Sequence, residues 1–132
     1  MSSRSILIQL VIGLIMLLLL YAYMISRVEL GEGEFLVEDP SGDRMIVEAV
    51  DPEAIDHLVR QHGTGETKWV GGLIETFDND YGFRFRPDTV VVANLTAGGL
   101  QAVYYDTISE NLTYWQGLGQ VYIEGRVVRM PS

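Results

Sequence analysis

EFLVEDPSGDRMIVEAVDPEAIDHLVRQHGTG, residues 34–65, decides the fold class. Two β-prone runs, residues 34–38 and 45–50, flank Asp39-Pro40-Ser41-Gly42-Asp43. Apolar runs around a Pro/Gly turn read as a hairpin. Asp51-Pro52-Glu53 then opens a helix. Asp caps it, Pro fits the first helical position, and Glu complements the positive end of the helix dipole. Ile55, Leu58, Val59 and His62 recur on one face, and Gly63-Thr64-Gly65 ends the helix. Hairpin followed by amphipathic helix, rather than strict strand–helix alternation, predicts an α+β domain.

Toward the C-terminus, residues 68–77 read as a strand interrupted by Gly71-Gly72, and Asp78-Asn79-Asp80-Tyr81-Gly82 as a turn. Phe83-Arg84-Phe85-Arg86 alternates, so the Phe side chains point inward and the Arg side chains outward. Pro87-Asp88 marks another turn, and Val90-Val91-Val92 runs as a strand into Asn94. Thr96 caps a second, long helix in this reading. Leu100, Val103, Tyr104, Thr107, Ile108, Asn111, Leu112 and Trp115 fall at three- and four-residue intervals. Gly98 and Gly99 weaken its start, and Gly117 and Gly119 end it. Residues 120–129 form a last strand, with Gly125 as a bulge. The expected order is β-β-α-β-β-β-α-β, a largely antiparallel sheet with two helices packed on one face.

Toward the N-terminus, residues 6–25 are apolar, with Gln9 the strongly polar exception. Twenty helical residues span about 30 Å, the thickness of a bilayer's hydrocarbon core. A helix in lipid satisfies its own backbone hydrogen bonds. The run exceeds the roughly 7–15 residues of a signal-peptide core. Bulky Tyr21, Tyr23, Met24 and Ile25 stand where a cleavage site needs small residues, and Tyr21 and Tyr23 suit an interfacial aromatic belt. The chain therefore divides into a tail (1–5), a transmembrane helix (6–25), a juxtamembrane linker (26–33) and one α+β domain (34–132). Arg4 and the terminal amine precede the helix, while Arg27, Glu29, Glu32 and Glu34 follow it. The expectation is a single-pass protein of the cell membrane with a cytoplasmic N-terminus and an extracytoplasmic domain.

Eighteen carboxylates face nine basic residues, a formal charge of −9. That field repels nucleic acid. Lys68 is the lone lysine, and acidic excess with scarce lysine fits a salt-adapted proteome. There is no cysteine, so disulfides, thiolate metal sites, a lipoprotein anchor and a cysteine nucleophile are excluded.

Asp51-Pro52-Glu53-Ala54-Ile55, Gly71-Gly72-Leu73-Ile74 and the stretch from Tyr81 to Val90, with its Phe83-Arg84-Phe85-Arg86-Pro87-Asp88-Thr89 segment, carry a resemblance. Residues 51–128 resemble a bacterial and archaeal domain family of unknown function. The resemblance implies a fold and no activity.

Catalytic chemistry has few candidates. His57 lies on the polar side of the first helix and His62 near its end. No Gly-x-Ser-x-Gly elbow exists, and two histidines without cysteine do not make a zinc ligand set. Asp78 and Asp80, with Asn79 between, are hard oxygen ligands suited to calcium, and a tight turn demands the same residue types. Trp69 and Tyr105, among the aromatics near the second helix, are candidates to line a pocket. Tyr104 and Trp115 read as core. Arg84 and Arg86, with Arg126, could bind an anion or a partner carboxylate. Asn94-Leu95-Thr96 and Asn111-Leu112-Thr113 match the glycosylation acceptor pattern, with Asn94 the credible acceptor because Asn111 falls on the helix's expected buried face. The function these features favour is binding of a protein partner or small ligand near the membrane. A structural subunit of a membrane complex is the alternative, and an enzyme the third reading.

Overall fold

A computed structural model of the chain describes residues 3–26, 29–94 and 100–131. The elements are α1 (Ser3–Ser26), β1 (Glu34–Glu38), β2 (Arg44–Glu48), α2 (Pro52–Thr64), β3 (Thr67–Thr76), β4 (Phe83–Phe85), a 3-10 turn (Pro87–Thr89), β5 (Val91–Ala93), β6 (Leu100–Val103), α3 (Tyr105–Ser109), α4 (Leu112–Gln116) and β7 (Gln120–Arg129). The α+β class holds. In α1, Ser3–Ala22 is long and apolar enough to cross a membrane, properties an export signal shares.

The hairpin and first helix form as the residues dictate. Phe35 and Val37 of β1, and Met45 and Val47 of β2, alternate into the core. The Asp51 side chain accepts from the Glu53 amide, and α2 ends on Gly65 in the left-handed conformation (φ 72°). Phe83 and Phe85 are both buried, as their alternation predicts.

The sheet runs β2-β1-β7-β3-β4, with β5 added on β3 and β6 on β7. Every ladder is antiparallel except β6 with β7. The two ten-residue strands β3 and β7 form its spine. β3 does not break at Gly71-Gly72; it continues, and its outer edge passes from β5 (residues 69–71) to β4 (residues 74–76). Side chains cannot replace these glycines freely. A Cβ on Gly71 would collide with backbone atoms of Val121 and Tyr122, and one on Gly72 would lie 2.8 Å from Thr89 Oγ1. The bend carries β4 round toward β2, and the sheet becomes nearly a barrel.

The expected long helix is corrected. Thr96, Gly98 and Gly99 lie outside the described residues. From Leu100 to Val103 the chain is a strand parallel to β7, followed by two short helices, α3 and α4. The reason is tertiary. β1 covers β7 only at residues 126–129, leaving 121–123 open on that edge, and β6 fills the gap. The strand then ends at Val103, whose φ of 68° is rare for a β-branched residue. Three helices therefore follow α1 rather than two: α2 packs on β7 and β5, α3 on β6, and α4 on β3.

Candidate functional site

β2 and β4 approach each other without a backbone ladder between them, so the barrel has a seam. Arg84, on β4, spans it. Its Nε donates to Glu75 Oε1 at 2.7 Å, and its Nη1 donates to Glu48 Oε2 on β2 at 3.3 Å. The same guanidinium lies 4.3 Å from the centroid of the Phe77 ring, a cation–π contact. Phe77 itself is 42% exposed.

Along the seam opens a cleft of ≈ 260 Å³, lined by Leu36, Ile46, Phe77, Tyr81, Arg44 and Arg84 among others. Leu36 and Ile46 are direct partners in the β1–β2 ladder and face outward, opposite the buried Phe35, Val37, Met45 and Val47. Asn79 holds the turn at the rim. Its Oδ1 accepts from the amides of Tyr81 (3.0 Å) and Gly82 (2.8 Å), and its Nδ2 donates to Phe83 O (2.7 Å). Burial pushes the Tyr81 phenol up, and the Asp43 and Asp39 carboxylates add to the effect, so its hydroxyl stays protonated at neutral pH. The lining contains no serine, threonine, cysteine or histidine. The cleft thus combines an apolar floor with a charged rim.

The sequence candidates scatter. Arg84 lines the cleft; Arg86 does not, and its Nε donates to Asp88 Oδ1 at 2.9 Å. Trp69 is half-buried on β3 between Ala93 and Glu124 of the neighbouring strands. Tyr105 is corrected from pocket wall to core: it is fully buried, and its hydroxyl donates to Val37 O at 2.7 Å. Tyr104, expected in the core, is 42% exposed, whereas Trp115 packs against the core and donates from Nε1 to Thr107 O. Asp78 and Asp80 are exposed turn residues, with Asp80 at the cleft rim. Among the described residues no group of three or more His, Asp or Glu is placed to hold a metal ion, so the calcium idea gains no ligand set. His57 is half-buried, 4.0 Å from Glu53, and His62 is exposed. Arg126 pairs with Glu38. Asn94 is exposed, but its partner Thr96 lies outside the described residues. Asn111 is exposed at the break between α3 and α4, contrary to its expected burial, because the continuous helix does not form.

Sequence reading missed Leu36, Ile46 and Phe77. The signal was present in the hairpin: runs of three consecutive apolar residues must place one on the outer face. Comparison of the chain with protein-family models, with curated proteins and with solved structures finds no match.

Proposed function

We propose that this chain is a membrane-tethered binding domain, whose seam cleft receives an apolar side chain of a protein partner. The observation that carries the reading is the cleft itself: Leu36, Ile46 and Phe77 form an outward apolar floor beside the Arg84 clasp. Its size selects the kind of occupant. At ≈ 260 Å³ it falls below the roughly 300–1,000 Å³ of typical small-molecule sites and suits a single anchoring side chain. Charge describes the rest of the partner. All eighteen carboxylates lie at or after Glu29, so a net basic surface is favoured at the rim.

In this reading α1 is retained as a single-pass anchor, with the domain on the extracytoplasmic side. The length of the apolar run and the bulky Tyr21, Tyr23, Met24 and Ile25 at its end support retention; Arg4 ahead of the helix supports the orientation. The resemblance of residues 51–128 to a domain family of unknown function belongs to the same proposal and bears on fold alone.

A photo-crosslinking residue placed at Ile46 in the full chain, in its native membrane, tests the site. A discrete protein adduct is expected at Ile46 and absent from the same probe at Arg86, and Phe77→Asp should abolish it. Equal labelling at both positions, or an adduct indifferent to Phe77→Asp, refutes the reading.

A further inference from the structure

A second groove, of ≈ 370 Å³, lies where the chain enters the domain. Leu30, Glu32 and Gly33 of the linker, Phe35 of β1, Ile55 and Val59 of α2, and Met130 and Pro131 after β7 line it. Three chain segments, far apart in sequence, thus bring apolar side chains to one place. The exposed aliphatic side chains beyond α1 are distributed unevenly. Leu118 stands apart, while Val59 (41% exposed) and Met130 (39%) line this groove. Val50 (59%) follows Ala49, whose amide donates to Gly33 O at 2.8 Å.

Chain length fixes how far this groove can stand from α1. From Ser26, the last residue of α1, to Leu30 there are four Cα steps, a reach of at most about 14 Å. The span ends at Ala22, and four further helical residues advance about 6 Å, roughly the depth of one headgroup layer. A groove held this close to the bilayer cannot diffuse away from it, and its local concentration at the interface is set by the tether.

We infer that the groove formed by Leu30, Ile55, Val59, Met130 and Pro131 docks on the bilayer, with Val50, Val59 and Met130 inserted among the upper acyl carbons. The occupant is lipid. Removing these side chains from water drives the contact, while Glu32 at the groove's wall and Glu29 nearby in the chain favour a zwitterionic over an anionic surface. Docking seats the domain on the bilayer and gives the seam cleft a set height and direction. The inference rests on α1 being a membrane anchor.

The chain has no cysteine, so single-cysteine variants report unambiguously. Val50→Cys, Val59→Cys, Met130→Cys, Leu118→Cys and Leu14→Cys are each labelled with bimane in the full chain, one chain per phosphatidylcholine nanodisc. Lipid carrying a nitroxide at acyl carbon 5 is the quencher. Quenching at Val59→Cys and Met130→Cys at least twofold above that at Leu118→Cys is expected, with Val50→Cys as an independent position should one variant misfold. Strong quenching at Leu14→Cys with none in excess at these three positions overturns the docking while leaving the anchor intact. No quenching at Leu14→Cys overturns the anchor and the docking together. Protection from aqueous iodide without lipid quenching assigns the groove to protein, a second copy included, and also overturns it.

Discussion

Asp39 lies in the β1–β2 turn and is buried, yet each carboxylate oxygen is used. Oδ1 accepts from the Ser41 amide and hydroxyl and from the Asp43 amide, closing the turn. Oδ2 accepts from the Tyr105 amide at 2.9 Å, and so caps the first turn of α3 from a position 66 residues earlier. The Tyr105 hydroxyl returns a bond to Val37 O, and its ring lies 5.3 Å from that of Tyr81, tilted by 40°. Tyr105→Phe removes this buried hydrogen bond but leaves Val37 O its place in the β1–β2 ladder, and should cost about 1 kcal/mol in urea unfolding. Charge at this corner gives two opposite pH responses. The Arg44 hydrogen bond, aided by Arg126 and opposed by partial burial, holds the Glu38 carboxyl below its ordinary 4.5. Its folded form binds a proton less readily than the unfolded chain does. Glu38 therefore stabilises the domain above that value, and the contribution fades as pH falls through its depressed pKa. Asp106 is the reverse: repulsion from Asp43, then desolvation, raises it above 3.8. Its folded form binds the proton more readily, so stability grows as pH falls from above its raised pKa toward 3.8. Asp106→Asn should raise the melting temperature at pH 7 and lose that advantage in acid, whereas Glu38→Gln should lower it at pH 7 and flatten the acid limb. Melting curves across pH 3–7 for both variants check the signs. Residue chemistry made Asp39 readable as a turn former, but not as the cap of a distant helix, because that role needs the fold to exist.

Among the elements, β3 shows what a sequence displays and what it conceals. Gly71-Gly72 was visible as a discontinuity, and its meaning was close approach rather than a stop. Gly71→Ala should destabilise by about 3 kcal/mol or more, since the Cβ meets main-chain atoms of β7 that cannot yield without parting the ladder. Gly125→Ala meets side-chain rather than main-chain atoms, those of Val37, Ile123 and Val70, which must shift within the core, and should cost roughly 1–3 kcal/mol. Chemical denaturation of the two variants side by side checks the ranking. The elements from β1 to β5 were legible because turn residues and local periodicity agreed. Residues 100–115 were not, since the apolar spacing that marks a helix also fits a short strand followed by two helical turns. The open edge of β7 decided between them, and no local pattern encodes a vacancy in a distant strand. The seam cleft escaped for a similar reason: Leu36 and Phe77 become neighbours only when the sheet curls.

At the scale of the whole molecule, one strand organises everything. β7 is hydrogen-bonded to β1, β3 and β6, and α2 packs across it, yet it comes last in the chain. A chain ending at Gly119 would keep every element before β7 and lose the strand that joins them. Its far-ultraviolet circular dichroism should lack the sheet signal of the full domain, and the amides of residues 34–119 should exchange without measurable protection. The pairing of β1 with β7 also makes the topology strongly non-local, a class that folds in milliseconds to seconds rather than microseconds. The order has a consequence for biosynthesis. While ribosomes are still adding residues 120–129, everything downstream of the apolar helix is an incomplete sheet with bare strand edges. Domain closure thus waits for β7, and the nascent protein meets chaperones as an open hairpin and helix until that strand arrives.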